Sequence, residues 1–408
     1  MNILITPSRL HGTVRIPASK SMAHRLLICA ALAEGTSVIS GVDMSRDITA
    51  TMDVLSAFGA SFRQEGSTIT VTGVGNVRPQ AAVADCGESG STLRFLIPVA
   101  AALGIHTTFF GQGRLPQRPI TAYLRELTKK GVTFDYHNTM PFTIDGKLRS
   151  GVFELEGDVS SQYVTGLLFA LPLLEGDSEI HMLSKLESKP YVDLTIACLR
   201  HFGIAVQETE QGYAVAGGQQ YHACDLTVEG DYSQAAFFCV ANALGSDITL
   251  TNLNPESVQG DKKIVEIVRE MCYNREQGLP AGFTVDAADI PDLVPILAVL
   301  ATFGTAPSSI TGAHRLAIKE SDRLASTADL LNRLGGKVTA TPDGLEIEPV
   351  EQLHGGIISN GRMDQYLYPF YKKDREEGRL DEDQALELLD CLWLNMAQFV
   401  RVQPTAAG

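Results

Sequence analysis

The chain has 408 residues, 44% of them hydrophobic and 20% charged, enough for two globular domains with substantial cores. Its formal net charge of −15 excludes nucleic acid as a partner, because neutralising a phosphate backbone needs a basic face. The longest apolar run, Leu293 to Phe303, is too short to span a bilayer, and Met1 to Lys20 holds no apolar signal core, so a cytoplasmic protein without membrane association is expected.

In chain order, a short polar turn repeatedly opens an apolar helical stretch. The openings are Ser19-Lys20-Ser21, Glu88-Ser89-Gly90-Ser91, Asp158 to Gln162, Asp231-Tyr232-Ser233-Gln234 and Asp289-Ile290-Pro291-Asp292. Their spacing is roughly 70 residues with one shorter gap, the mark of an internal repeat. Met22 to Ala33 carries apolar residues at helical spacing and stops at Gly35, read as its C-cap; Asp47 to Phe58 is a second helix closed by Gly59; Ala60 to Arg63 and Thr68 to Val71 alternate as a hairpin would. The same succession of helix, Gly and hairpin recurs at Leu124 to Phe134, Leu199 to Val206 and Leu331 to Val338. An α/β protein with mixed sheets is therefore expected. After Met271 to Arg275 the fourth unit reaches Phe283 too soon for a hairpin, so it is trimmed. A sixth opening is due near residue 360, where the pattern stops.

A dinucleotide fold is the rival, but Gly73-Val74-Gly75 lacks the third Gly and opens no convincing helix. The seven cysteines are scattered in apolar contexts and read as reduced core thiols; no metal-ligand spacing occurs, and no metal site is expected.

Repeated helix N-termini have a chemical meaning. Each presents unpaired N–H groups and about half a positive charge, worth roughly 0.3–1 kcal/mol per anionic group. Cations gather at the same places: Lys20 and Arg25 at the first opening, Arg94 at the second, Arg114 and Arg118 in the Gly111–Pro119 loop, and Lys319 with Arg323. A small, strongly anionic ligand is expected, since one charge pair at 4 Å contributes about 4 kcal/mol before desolvation at an effective dielectric near 20. Asp292 and Glu320 are candidate proton-transfer groups, each beside a cation or a helix start; an N-cap for Asp292 and an exposed ion pair for Glu320 are the plainer readings. His24 and His314 read as ordinary polar residues.

Seven ordered motifs carry a resemblance. They are Ser19-Lys20-Ser21 with Arg25, Gly87 to Arg94, Gln117-Arg118-Pro119-Ile120, Ser160-Ser161-Gln162, Ser188-Lys189-Pro190-Tyr191, Ile290-Pro291-Asp292 and Lys319-Glu320-Ser321-Asp322-Arg323-Leu324. Over residues 5 to 356 the chain resembles the 5-enolpyruvylshikimate-3-phosphate synthases among the enolpyruvyl transferases. The related UDP-N-acetylglucosamine branch usually carries a reactive Cys in the loop that here runs from Gly111 to Arg118 without one, and has Lys-Asn where this chain has Lys20-Ser21.

The resemblance implies two domains of repeated βαβαββ units around an interdomain cleft: residues 1–17 with 229–360 in one, 18–228 in the other, and an atypical segment 361–408 replacing the sixth unit. It implies transfer of the enolpyruvyl group of phosphoenolpyruvate to the 5-hydroxyl of shikimate 3-phosphate, without metal or organic cofactor, in a monomer. Ser21, Arg25, Ser160, Ser161, Ser188 and Lys319 would hold shikimate 3-phosphate. Lys20, Gly90, Arg118, Gln162 and Arg323 would contact phosphoenolpyruvate, Asp292 would be the base toward the hydroxyl, and Glu320 would share in proton transfer.

After Gly355-Gly356 the family continues with an Asn-Asp-His-Arg motif and, later, a Lys, both serving the phosphoenolpyruvate site; neither is present here. Reduced turnover is therefore expected, or else a relative that only binds shikimate 3-phosphate. Gly361 to Asp374 and Leu388 to Trp393 instead resemble a piece of the glycyl radical enzymes, without the radical Gly or catalytic Cys motifs, so no radical chemistry is implied. Asp381 and Gln384 form a plausible capping box ahead of an apolar stripe at Ala385, Leu388, Leu389, Leu392 and Met396, as in a docked terminal helix.

Overall fold

The computed structural model describes residues 9–75, 78–318 and 321–353. Lys319, Glu320, Cys391 and the expected terminal helix lie outside these residues.

The described chain begins with β1 (His11–Arg15) and enters a first unit of α1 (Lys20–Leu32), β2 (Thr36–Ser40), α2 (Arg46–Ala57), β3 (Ser61–Glu65) and β4 (Thr68–Thr72). A second unit follows: β5 (Ala81–Asp85), α3 (Gly90–Leu103), β6 (His106–Phe110), α4 (Thr121–Thr128), β7 (Val132–Asp135) and β8 (Phe142–Gly146). The third is β9 (Val152–Leu155), α5 (Ser161–Ala170), β10 (Ser178–Met182), α6 (Lys189–His201), β11 (Gln207–Thr209) and β12 (Gly212–Val215). Beyond β13 (Leu226–Thr227) come α7 (Tyr232–Ala243), β14 (Asp247–Thr251) and α8 (Ile264–Glu276). The last unit is β15 (Thr284–Asp286), α9 (Val294–Thr302), β16 (Ser308–Thr311), α10 (Arg323–Arg333), β17 (Lys337–Thr341) and β18 (Gly344–Glu348).

Four sheets have four strands, in the orders β13-β2-β4-β3, β5-β6-β8-β7, β9-β10-β12-β11 and β15-β16-β18-β17. In each, one parallel pair joins a hairpin, the mixed arrangement expected from the sequence. The turn before each hairpin is a Gly with positive φ, at Gly59, Gly131, Gly203 and Gly335 (107°, 91°, 81° and 90°), a conformation that a Cβ disfavours. The fourth unit is trimmed as its short sequence implied. Between α8 and β15 no strand intervenes, and among the described residues β14 pairs only with β1, in parallel.

The strand pairings cross over. β1 joins β14 of the later half, whereas β13 returns to β2 of the earlier half. The two connecting segments run side by side: Ser19 N–H donates to the Glu229 carbonyl (2.8 Å) and Asp231 N–H to the Pro17 carbonyl (2.9 Å). Buried apolar residues form two clusters, one drawn from residues 18–228 and the other from 236–347. In the first, α1, α3 and α5 are buried along nearly their whole length, so their sequences are apolar on all sides and only their N-termini reach solvent. We call these bodies the first and second lobes.

Candidate active site

Four of the five polar openings cap helices as the sequence pattern suggests. Ser19, Ser89, Ser160 and Asp231 are the N-caps of α1, α3, α5 and α7, and each side chain accepts a backbone N–H. The fifth differs: Pro291–Leu293 is a 3-10 turn leading into α9 without a side-chain cap. Asp292 is thus no N-cap, and its carboxylate bonds instead to Tyr191 of the opposite lobe. At the other end of α1 the C-cap is Ala33, two residues before Gly35.

A cavity of about 510 Å³ separates the lobes, lined among others by Lys20, Ser21, Tyr191, Asp231, Asp261, Asp292 and Arg323. This size suits a small ligand. Across it, the Tyr191 hydroxyl donates to Oδ2 of Asp292 at 2.6 Å, and Nη1 of Arg323 meets Oδ1 at 2.7 Å. The carboxylate is therefore held from both sides. Lys20, half exposed at the mouth of α1, pairs with Asp47 at 2.8 Å.

Arg25 does not line this cavity. It is buried one turn into α1, donating through Nε to Thr195 Oγ1 (2.8 Å), Nη1 to the Ser21 carbonyl (2.7 Å) and Nη2 to the Tyr191 carbonyl (2.9 Å). Its guanidinium lies 5.3 Å from the centre of the Phe95 ring. Burial lowers its pKa to about 10, which still leaves it charged at neutral pH. Arg25 thereby fixes Ser21 and Tyr191 relative to each other.

A second group of expected residues converges where α3 and α5 begin. Arg94 donates to Gln162 Oε1 (2.7 Å), and Gln162 Nε2 donates to Ser91 (3.0 Å). Ser160 caps the Gln162 N–H at 3.3 Å, and Ser161 is buried beside it. A Cβ built on Gly90 would stand 2.5 Å from Arg118 Nη1, so the guanidinium approaches the α3 N-terminus only because residue 90 has no side chain. Gly90, Arg118, Ser160, Ser161 and Gln162 are thus brought together, beside the cavity and outside its lining.

Ser188 forms a third contact between the lobes. It is buried in the left-handed region (φ 57°, ψ 35°), and its hydroxyl accepts from Arg315 Nη2 at 3.1 Å. Arg315 also pairs with Glu187 at 2.5 Å and donates to the Ala288 carbonyl at 3.0 Å. Both charges are nearly buried, where an ion pair is screened far less than at the surface.

Sequence reasoning missed Arg315, Glu187 and Asp261, and quoted Tyr191 and Asp231 without a role. Asp231 carried a signal as an N-cap. Asp261 carried none, because Gly260-Asp261-Lys262-Lys263 reads as a solvated charged turn, yet Asp261 is only 7% exposed. Burial pushes its carboxyl well above the usual range, with Asp292 and Asp231 adding to the shift. The acidic wall is thereby muted: burial disfavours the charged form of Asp261, Asp292 is paired with Arg323 and Asp47 with Lys20. With the lining cations Lys20 and Arg323 offset in the same pairs, the helix N-termini add a further favourable field for an anionic ligand.

Comparison with known proteins settles the family. Residues 4–362 match the EPSP synthase (3-phosphoshikimate 1-carboxyvinyltransferase) family. This chain belongs to it. A 3-phosphoshikimate 1-carboxyvinyltransferase of Clostridium kluyveri is 42% identical over 369 residues, covering 88% of this chain and 87% of that protein. One from Clostridium beijerinckii is 40% identical over 376 residues, 87% of this chain and 86% of that protein. Among solved structures, the EPSP synthase of Acinetobacter baumannii superposes with a TM-score of 0.71 at 25% identity, covering 88% of this chain and 87% of that one. Residues 349–407 match a different family, described as pyruvate formate lyase-like, in keeping with the glycyl radical resemblance of the C-terminal segment. Among the described residues no helix is long and apolar enough to cross a membrane.

Proposed function

We infer that this protein transfers the enolpyruvyl group of phosphoenolpyruvate to the 5-hydroxyl of shikimate 3-phosphate, releasing phosphate, a step of the shikimate pathway toward aromatic amino acids. The observation that carries this reading is Asp292, held at 2.6 Å by Tyr191 and 2.7 Å by Arg323 in a cavity opened by the cationic N-terminus of α1. In this reading Asp292 takes the proton of the attacking hydroxyl, which must come within about 2.6–3.2 Å of the carboxylate. The alkene of phosphoenolpyruvate is protonated, the hydroxyl oxygen bonds to the cationic carbon, and the tetrahedral adduct loses a proton and phosphate. Ser21, Arg25, Ser160, Ser161, Ser188 and Lys319 serve shikimate 3-phosphate; Lys20, Gly90, Arg118, Gln162 and Arg323 serve phosphoenolpyruvate; Glu320 shares in proton transfer. The lobes are assigned as residues 1–17 with 229–360, and 18–228, in a cytoplasmic monomer.

The family match ends at residue 362, and the Asn-Asp-His-Arg motif and later Lys are absent. Each lost preorganised contact lowers the rate about 10²- to 10³-fold, so losing two lowers it on the order of 10⁴-fold. The second reading, a protein that binds shikimate 3-phosphate without turnover, rests on the foreign match at 349–407. Proton NMR of the two substrates with the purified chain distinguishes these: new vinyl signals of 5-enolpyruvylshikimate 3-phosphate are expected, growing slowly. No product, together with a melting temperature raised by shikimate 3-phosphate, would favour the second reading.

A further inference from the structure

The Tyr191 hydroxyl has one proton, which it gives to Asp292 at 2.6 Å, so toward any other group its oxygen can only accept. The other group is Asp261. It stands on the one-turn 3-10 helix Gly260–Lys263 and lines the cavity together with Tyr191. It is 7% exposed, and its Oδ1 is buried without a hydrogen-bond partner. An ionised Asp261 would set lone pair against lone pair at Tyr191 and add a buried negative charge beside Asp231 and Asp292. A neutral acid satisfies both constraints, in accord with the raised titration described above. The approach is close by construction: a Cβ on Gly260 would lie 2.8 Å from Cβ and Cγ of Pro190, the residue before Tyr191.

We propose that Asp261 is a positioning residue: as a neutral acid it donates to the Tyr191 oxygen, Tyr191 donates to Asp292, and this relay sets the orientation of Asp292 toward the substrate hydroxyl. The proposal rests on the reading of Asp292 as the base. Tyr191 belongs to the first lobe, and Asp261 and Asp292 to the second, so separating the lobes withdraws the tyrosyl donor from Asp292. The relay ties orientation of the base to apposition of the lobes.

The test compares Asp261→Asn, Asp261→Ala, Tyr191→Phe and the double variant Asp261→Ala/Tyr191→Phe, each confirmed folded by its melting curve. Asp261→Ala and Tyr191→Phe are expected to lower kcat about 10- to 100-fold, the usual loss when a supporting hydrogen-bond partner is removed. The KM for phosphoenolpyruvate should change little, and the double variant should be no slower than the slower single. Asp261→Asn keeps a donor without a charge and should retain most of the rate. An asparagine variant as slow as the alanine one, or losses that multiply in the double variant, would overturn the relay. Infrared difference spectroscopy adds a readout that needs no turnover: a protonated carboxyl band at neutral pH, absent in Asp261→Asn and shifted in Tyr191→Phe, is expected. Should the wild type prove inactive, the reading of Asp292 fails by itself, and this band decides the Asp261–Tyr191 link: its absence overturns it.

Discussion

The first lobe contains three complete four-stranded units, while the described part of the second has one complete unit and one reduced to α7, α8 and the paired strands β1 and β14. Their contributions to the cavity differ in chemistry as well. The first lobe presents the serine-capped N-terminus of α1 with Lys20 and, outside the lining, those of α3 and α5 with Arg118; the second presents Asp231, Asp261 and Asp292 with Arg323. In the proposed reading, one wall holds anions and the other holds and moves protons. Helices buried on all sides suit the first task, because a helix that cannot shift keeps its N–H groups aimed at one point. Carboxylates on short 3-10 turns suit the second, since a turn can set a side chain across a gap that a capped helix would turn inward.

Apart from loss of the base itself, the largest expected effect tests the anion wall. Gly90→Ala puts a Cβ where Arg118 Nη1 now lies, 2.5 Å away, so the guanidinium must move. The KM for phosphoenolpyruvate should rise about 10- to 100-fold by steady-state kinetics, as misplacements of about 1 Å cost that much. Shikimate 3-phosphate binding by calorimetry should change far less, and an equal loss for both ligands would erase the division between the two groups of residues.

A smaller effect concerns what keeps the first wall rigid. Arg25→Met removes the charged hydrogen bonds to Thr195 Oγ1 and to the carbonyls of Ser21 and Tyr191, and should lower stability in urea by about 1.5–3 kcal/mol. A change below the scatter of surface variants would mean that Arg25 serves only the ligand.

A further effect appears only as pH is lowered. His24, buried in α1 with Nδ1 2.8 Å from Thr51 Oγ1, has its pKa lowered from 6.5 to about 3, first by burial and then by Lys20. As pH falls below 6.5 the unfolded chain takes up this proton and the native one does not. Stability should therefore fall by about 1.4 kcal/mol per pH unit from this group between pH 6.5 and about 3, and be insensitive to it above that window. His24→Gln cannot titrate and should flatten the slope of urea stability against pH; identical slopes would contradict a buried neutral imidazole.

Much of this was legible in the chain. Helix, Gly and hairpin recur because the turn needs positive φ, and Ser19, Ser89, Ser160 and Asp231 announce helix starts by a local cap, so units and N-termini could be read from neighbours in sequence. The fifth opening looked the same and was not, because Pro291 leads into a 3-10 turn and Asp292 bonds to a residue 101 positions away. Arg315 on Ser188 spans 127 positions, and Asp261 acquires its burial only where the lobes meet. Contacts set by the apposition of two bodies leave no periodic trace in either segment.

The most direct test of the two-wall account is the initial rate of phosphate release from phosphoenolpyruvate and shikimate 3-phosphate, for the wild type beside Asp292→Asn. The account predicts measurable release in the wild type and a fall of about 10²- to 10⁴-fold in the variant, the contribution of one positioned base, with shikimate 3-phosphate affinity kept within the same order. Equal rates in the two proteins would contradict it, as would no release in either.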